Sequence, residues 1–158
     1  GRLIRMLLEH SPPPQEMVLM VQREVAERIT AQAQDMNLLA LSCQLFGKPE
    51  IVLDVSRRSF APAPKVDSAV IAIRGISGKR FRAAGLTPQE FFEIARAAFQ
   101  SKRKTIANSL GKNLAIEKNT LFELLESSGI NPHTRPEALS PEQWIILAKM
   151  IVRRNLLI

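Results

Sequence analysis

The stretch Phe60-Ala61-Pro62-Ala63-Pro64-Lys65-Val66-Asp67-Ser68-Ala69-Val70 joins a proline-stiffened loop to a strand that continues to Ile73. Pro62 and Pro64 fix their own φ and push the residue before each of them into an extended conformation, so the loop cannot become helix. Phe60 is therefore held at the mouth of a sheet. Two interpretations of Phe60 are open: an aromatic that plugs the core, or a stacking platform for a planar group such as a nucleobase.

The residues before this loop predict the late part of an α/β sheet. The stretch Glu16-Met17-Val18-Leu19-Met20-Val21, a continuous apolar run after a proline-rich loop, predicts a fully buried strand. Two helices are expected next, at residues 23–31 and 38–46, and the second is apolar nearly all round, which is typical of a buried helix. A strand follows at residues 50–55. It is close enough in sequence to the strand at residues 66–73 for the two to pair antiparallel.

The period of the apolar residues changes to 3.6 after Gly75-Ile76-Ser77-Gly78. Thr87-Pro88-Gln89-Glu90 and Ser140-Pro141-Glu142-Gln143 are capping boxes that open two helices. Further helices are predicted at residues 103–110, ended by Gly111, and at residues 117–127. The fold class is therefore α/β followed by all-α, with domains at residues 1–75 and 79–158.

Composition excludes several classes of protein. The longest apolar runs of the 158 residues are far shorter than the ~20 that a membrane helix needs. The single cysteine, Cys43, lies in an apolar helical pattern and is interpreted as a small core residue. His10 and His133 are far apart, so no metal site is expected. The chain has no Gly-x-Ser-x-Gly elbow and no Cys near a His, so nothing supports a hydrolase.

The net charge of +7 is placed unevenly along the chain. Residues 1–75 carry 9 Lys and Arg against 8 Asp and Glu, whereas residues 76–158 carry 13 against 7. A basic second half indicates a polyanionic partner, and nucleic acid fits better than a membrane because no amphipathic lipid-facing helix is evident.

Four segments resemble the small-subunit rRNA adenine dimethyltransferases, in the right order and over most of residues 12–147. They are Gln22-Arg23-Glu24-Val25-Ala26-Glu27-Arg28, Phe60-x-Pro62-x-Pro64-Lys65-Val66-x-Ser68, Lys102-Arg103-Lys104-Thr105-x-x-Asn108-Ser109-Leu110 and Arg135-x-Glu137-x-Leu139-Ser140. The resemblance implies the last strands and helices of a Rossmann-like methyltransferase sheet, followed by a small helical domain that binds rRNA. It also implies a cytoplasmic monomer whose partner is the small ribosomal subunit.

The resemblance implies S-adenosylmethionine as the cofactor, bound mainly by residues that are not in this chain. Family members hold it with a glycine-rich turn and an acidic residue, and they hold the target amine with an Asn-Leu-Pro-Tyr segment. No Gly-x-Gly occurs in the 158 residues. The chain therefore resembles the C-terminal portion of a longer enzyme, in which Phe60 would cover one face of an adenine that has left its stack.

One segment departs from the family. Where relatives have a Ser-Lys-x-Tyr-Gly loop, this chain reads Asp35-Met36-Asn37-Leu38-Leu39, and the loop is predicted to have become helix. This change favours an alternative, a non-catalytic rRNA-binding factor of ribosome assembly on the same fold. A methyltransferase of large-subunit rRNA is a further alternative, which the Lys102–Leu110 motif argues against.

Candidate RNA-binding residues follow from charge and position. A run of cations can be an ordinary solvated face, but Lys102, Arg103 and Lys104 lie in the most basic part of the chain, and contact with phosphates is expected. Asn108 is interpreted as a local cap or an RNA contact. Arg57, Arg58 and Lys65 flank the Phe60 loop, where they are expected to guide a phosphate. Arg135 and Glu137 are predicted to form a structural pair.

Overall fold

The computed structural model describes residues 2–10, 12–101 and 103–157. Its contacts divide the chain into two compact units. The first consists of residues 1–31 and 39–78, and the second of residues 32–38 and 79–158. The short segment 32–38 therefore belongs to the second unit, although it lies in sequence between two parts of the first.

The first unit is a mixed α/β layer. Its elements are α1 (Arg2–Glu9), β1 (Glu16–Gln22), α2 (Arg23–Ile29), α3 (Leu38–Phe46, of which Leu38 is assigned to the second unit), β2 (Lys48–Val55) and β3 (Ser68–Arg74). The three strands form a sheet in the order β1-β3-β2, and both pairings with β3 are antiparallel. The predicted succession of strands and helices is confirmed, as is the antiparallel pairing of the last two strands.

The central strand β3 carries the core of this unit. Ala69, Ile71 and Ile73 are fully buried, as are most residues of α3. Cys43 is one of these α3 residues, and its burial raises the pKa of its thiol to about 12. A thiol that stays protonated in an apolar site is inert, so the interpretation of Cys43 as a core residue is confirmed.

The prediction that β1 is fully buried is wrong. Met17 is buried, but Val18 and Met20 on the opposite face are 62% and 56% exposed. A continuous apolar run fits a strand that is covered on both faces, yet among the described residues β1 lies at the edge of the sheet with one apolar face open. The sheet also carries an irregularity in β2 between Ile51 and Leu53, and Val52 at this bulge is exposed.

The second unit is a helical bundle. It contains α4 (Lys79–Ala84), α5 (Pro88–Phe99), α6 (Ile106–Asn113), α7 (Lys118–Ser127) and α8 (Pro141–Arg153). Both predicted capping boxes form, at Thr87 with Glu90 and at Ser140 with Gln143. Aromatic rings fill the centre: Phe81, Phe91, Phe92 and Trp144 are buried, and Phe81 meets Phe91 edge to face at 5.5 Å.

Two local predictions in the second unit need correction. The helix expected at residues 103–110 begins at Ile106, because Thr105 caps it, and it continues through Gly111 to Asn113. Residues 35–37 have not become helix. The backbone N–H groups of Gln34 and Met36 instead donate to the carbonyl oxygen of Glu137, each at 3.0 Å, which holds this segment as a loop.

Candidate functional site

The candidate residues of the first unit lie in one hairpin loop, residues 56–67, which connects β2 to β3. The loop begins with a 3-10 turn at Arg57–Ser59, in which the Ser56 hydroxyl accepts a hydrogen bond from the backbone N–H of Arg58. The two proline-containing steps follow. The prediction that residues 60–67 are not helical is confirmed, although the Ala61–Pro62 peptide bond is cis and the loop begins with a tight turn that the sequence did not indicate.

Phe60 lies directly after this turn in an extended conformation, with φ −121° and ψ 148°. Its side chain is half-buried. A ring that plugs a hydrophobic core is normally fully buried, as Phe91 and Phe92 are in the second unit. Phe60 thus keeps some exposed surface, whereas Phe91 and Phe92 keep almost none.

The charged residues beside Phe60 divide into two kinds. Arg57 is engaged within the loop: its backbone N–H donates to Asp67 Oδ1 at 2.9 Å, and its guanidinium Nη1 donates to the carbonyl oxygen of Lys65 at 3.1 Å. The side chains of Arg58 and Lys65 are exposed. Arg58 and Lys65 are therefore better placed than Arg57 to meet a phosphate.

Arg23, at the start of α2, joins this loop to the end of the sheet. Its backbone N–H donates to the carbonyl oxygen of Asp67 at 3.0 Å. Its guanidinium pairs with Glu27 at 3.1 Å and with Asp54 at 3.0 Å. The hydrogen bond to Glu27 and the nearby charge of Asp54 raise the pKa of Arg23. Asp67 and Arg23 were not among the predicted site residues.

A cleft of about 370 Å³ opens at this end of the sheet. The charged residues that line it are Arg23, Glu24, Glu27, Arg57, Lys65 and Asp67. Basic and acidic groups are equally represented, so the cleft itself does not present a cationic surface. The positive charge available for phosphate lies instead on the exposed side chains of the loop.

The candidate residues of the second unit surround the start of α6. Arg103 and Lys104 are exposed and precede the cap residue Thr105, and Asn108 is exposed in the first turn. Lys102 lies outside the described residues. Arg135 approaches Glu137 at 3.8 Å, which confirms the predicted pair.

The N-terminus of α6 does not offer free backbone donors. The N–H groups of Ile106 and Ala107 donate to the carbonyl oxygens of Thr134 at 2.8 Å and Pro132 at 3.4 Å. The N–H of Asn108 donates to the Thr105 hydroxyl. Helix N-termini often bind anions through such groups, but here they are used within the protein. An anion at this place would have to be bound by side chains, and among the described residues Arg103 and Lys104 are exposed cations just before the helix.

Groups that hold metals are not assembled here. Within residues 2–10, 12–101 and 103–157, no three His, Cys, Asp or Glu side chains are placed to bind one ion. Of the helices in the same ranges, none is both long and apolar enough to cross a bilayer. For S-adenosylmethionine the sequence offers neither a glycine-rich turn nor its acidic partner, so these residues do not fit the cofactor by themselves.

Comparison with known proteins gives a consistent picture. The family model described as "Ribosomal RNA adenine dimethylase" matches residues 2–153. The curated relatives include "Ribosomal RNA small subunit methyltransferase A" of Dehalococcoides mccartyi, which is 41% identical over 142 residues and is matched over 90% of this chain and 48% of its own length. The protein of the same name from Clostridium botulinum is 37% identical over 144 residues, which are 90% of this chain and 51% of the relative. The chain thus spans about half the length of these relatives.

Solved structures show the same fold. A dimethyladenosine transferase from Plasmodium falciparum superposes with a TM-score of 0.77 at 26% identity, over 98% of this chain and 63% of that one. The 23S rRNA methyltransferase ErmE superposes with a TM-score of 0.63 at 22% identity, over 95% of this chain and 59% of that one. At that identity, the second match speaks for the fold alone.

Proposed function

Because this chain belongs to the ribosomal RNA adenine dimethylase family, we propose that it forms the C-terminal half of a cytoplasmic, monomeric enzyme that methylates adenine amines of small-subunit rRNA. The observation that carries the proposal is the match of residues 2–153 to that family, together with relatives that are named as small-subunit methyltransferases. S-adenosylmethionine would supply the methyl group, and residues outside this chain would bind it.

The finer fold belongs to the same proposal. We infer that β1, β3 and β2 are the last strands of a larger, Rossmann-like sheet. Within the described ranges β1 pairs only with β3, and its free edge carries no charge between Glu16 and Gln22. Natural proteins usually protect an edge with charges, prolines or bulges. An unprotected edge beside the exposed side chains of Val18 and Met20 fits a strand that has a neighbour in the complete enzyme.

We further propose a domain boundary after residue 75, with residues 1–75 in the methyltransferase domain and residues 79–158 in the rRNA-binding domain. The basic excess of residues 76–158 supports this division of tasks.

The chain's own residues would bind and orient the substrate. Phe60 would stack on the target adenine after the base has left the helix, and its half-buried side chain suits this role. Arg58 and Lys65 would contact phosphates close to that base. Lys102, Arg103, Lys104 and Asn108 would contact the backbone of the rRNA. Transfer to the amine then depends chiefly on the position of the acceptor nitrogen, because a sulfonium is a good leaving group.

The test is methyl transfer by the complete enzyme to isolated small-subunit particles, with large-subunit particles as the control. We expect two methyl groups on each target adenine, which are detected by mass spectrometry of digested rRNA. Methylation of the large subunit alone would overturn the choice of substrate.

One observation favours a second function. Residues 35–39 lack the lysine, tyrosine and glycine that the family usually has there, and in the structure residues 34 and 36 are bound to the backbone of Glu137. A non-catalytic factor of ribosome assembly would tolerate this loss. It would bind small-subunit rRNA with normal affinity and leave every adenine unmodified, so the same assay separates the two functions.

A further inference from the structure

The loop that carries Phe60 is long for a connection between two paired strands. Val55 and Ser68 are partners in the β2–β3 register, so residues 56–67 form the whole connection. A hairpin loop of 2–5 residues is common, and long loops without their own structure are usually either functional or disordered. A mobile loop could not hold an aromatic ring in one orientation.

Two hydrogen bonds close the loop at its base. The carboxylate of Asp67 accepts from the backbone N–H of Arg57, and the guanidinium of Arg57 donates to the carbonyl oxygen of Lys65. Both bonds cross from the outgoing arm of the loop to the returning arm. Only residues 58–64 remain outside this closure, and they contain Phe60 and both prolines.

Arg23 fixes the closed base to the sheet. Its backbone N–H binds the carbonyl oxygen of Asp67, and its guanidinium binds the carboxylate of Asp54 in β2. Asp67 therefore connects the loop to α2 through its backbone and closes the loop through its side chain. The N–H of Phe60 in turn donates to the carbonyl oxygen of Arg57 at 3.4 Å. The backbone of Phe60 is therefore bound to the residue that closes the base of the loop.

We propose that Asp67 and Arg57 are positioning residues that hold the Phe60 ring in the orientation needed to stack on the target base. The inference rests on the proposed function and deepens it, because it assigns to Arg57 a role within the protein in place of a contact with phosphate. Asp67 acts through Arg57, and neither residue contacts the target adenine.

The inference is tested with substitutions that separate geometry from charge. Asp67→Ala removes the acceptor, whereas Asp67→Asn keeps an oxygen at the same place. Arg57→Lys keeps the positive charge but loses the planar fork that reaches the carbonyl of Lys65. Glu9→Ala is the control, since Glu9 is an exposed carboxylate on α1 that belongs neither to the cleft nor to the loop.

Two measurements are made on the complete enzyme. Hydrogen exchange reports on the amides of residues 57–67, and steady-state methylation gives kcat and KM for the small-subunit substrate. Asp67→Ala should speed exchange at Arg57 and lower kcat by roughly 10- to 100-fold, the range expected for a misplaced contact group, with KM little changed. Asp67→Asn should restore most of kcat, and Glu9→Ala should resemble the unaltered enzyme.

The Arg57→Lys variant distinguishes positioning from phosphate contact. A positioning role predicts a lower kcat with an unchanged salt dependence of RNA binding. A phosphate contact predicts that kcat and the salt dependence both stay unchanged, because the lysine keeps the charge that such a contact needs. The second result would overturn the inference.

A double substitution separates this inference from the proposed function. If Asp67 acts through Phe60, then Phe60→Ala with Asp67→Ala should be no worse than Phe60→Ala alone. Additive losses would overturn the inference and leave the role of Phe60 intact. If Phe60→Ala alone changes nothing, then it is the proposed role of Phe60 that fails.

Discussion

The ring of Phe99 stacks on that of Trp144 in the helical unit, with centroids 5.4 Å apart and planes inclined by 24°. Trp144 is fully buried, and the ring of Phe91 meets the indole edge to face with centroids 6.5 Å apart. Among the described residues, the indole N–H of Trp144 has no acceptor. The indole therefore stabilises this unit by packing and not by a hydrogen bond.

We expect Trp144→Ala to lower the free energy of unfolding by about 3–5 kcal/mol, the usual cost of truncating a large buried aromatic. Trp144→Phe should cost clearly less, because it keeps most of the ring and removes a buried donor that lacks a partner. Urea unfolding of both variants provides the measurement. Equal losses in the two variants would contradict this account of the indole.

Replacement of Phe60 should affect binding of the base more than folding. Phe60→Ala in the complete enzyme should lose ~1–3 kcal/mol of stacking, with a corresponding fall in methylation, and Phe60→Tyr or Phe60→Trp should retain part of the rate. Because Phe60 is only half-buried, its loss of stability should stay below the ~3–5 kcal/mol typical of a buried Phe. Phe92→Ala is the control, since Phe92 is 2% exposed and should destabilise strongly. A large loss of stability in Phe60→Ala with normal base binding would identify Phe60 as a core plug.

Replacement of Lys102, Arg103 and Lys104 by Gln should flatten the salt dependence of rRNA binding. Each neutralised phosphate contact contributes ~0.7–0.9 to the slope of log affinity against log salt, so three lost contacts should reduce the slope by roughly 2. Thermal stability should hardly change, because Arg103 and Lys104 are exposed and such charges contribute little to folding. Lys48→Gln in β2 serves as a control for a general effect of charge. An unchanged slope in the triple variant would show that the rRNA lies elsewhere.

The two capping boxes differ in one useful respect, the charge of the residue that closes them. Glu90 accepts from the Thr87 N–H at 2.8 Å and from its hydroxyl at 2.7 Å, and these bonds lower the pKa of Glu90. A carboxylate whose pKa falls on folding stabilises the protein above its unfolded pKa, and this stabilisation is lost as the pH falls through the folded pKa. In the other box the neutral Gln143 accepts from the Ser140 N–H.

Thr87→Ala and Ser140→Ala should each cost ~0.5–2 kcal/mol at neutral pH, as the loss of an N-cap usually does. On acidification the cost of Thr87→Ala should shrink, because Glu90 becomes protonated, while the cost of Ser140→Ala should stay constant. Chemical unfolding at several pH values measures both. The same pH dependence in the two variants would contradict this account of Glu90.

Titration calorimetry of the 158-residue chain with S-adenosylmethionine should show no measurable binding, since no Gly-x-Gly turn is present. A complete relative such as the Dehalococcoides mccartyi protein is the positive control. Micromolar binding by this chain alone would mean that it holds a cofactor site of another kind.

The sequence predicts the order of elements well, because period, caps and proline-stiffened turns are local signals. It fails where a residue's role depends on a distant part of the chain. The apolar run of β1 does not indicate whether one face of the strand or both faces are covered. The start of α6 depends on which residue caps the helix, and in the structure the cap is Thr105 and not one of the charged residues before it. In the sequence, Arg57 is a cation beside a loop. Its hydrogen bond to a carbonyl oxygen eight residues away becomes visible only in the fold.

Segment 32–38 has a practical consequence for anyone who exchanges modules between relatives. The chain passes from one unit to the other three times, after residues 31, 38 and 78. A chimera with a single junction at Gly78 would pair segment 32–38 of one parent with the Glu137 turn of the other, whose carbonyl accepts two of its backbone N–H groups. Met36, which is buried, would then meet a foreign surface. A workable graft of the helical unit must therefore transfer residues 32–38 along with residues 79–158, as two separate insertions.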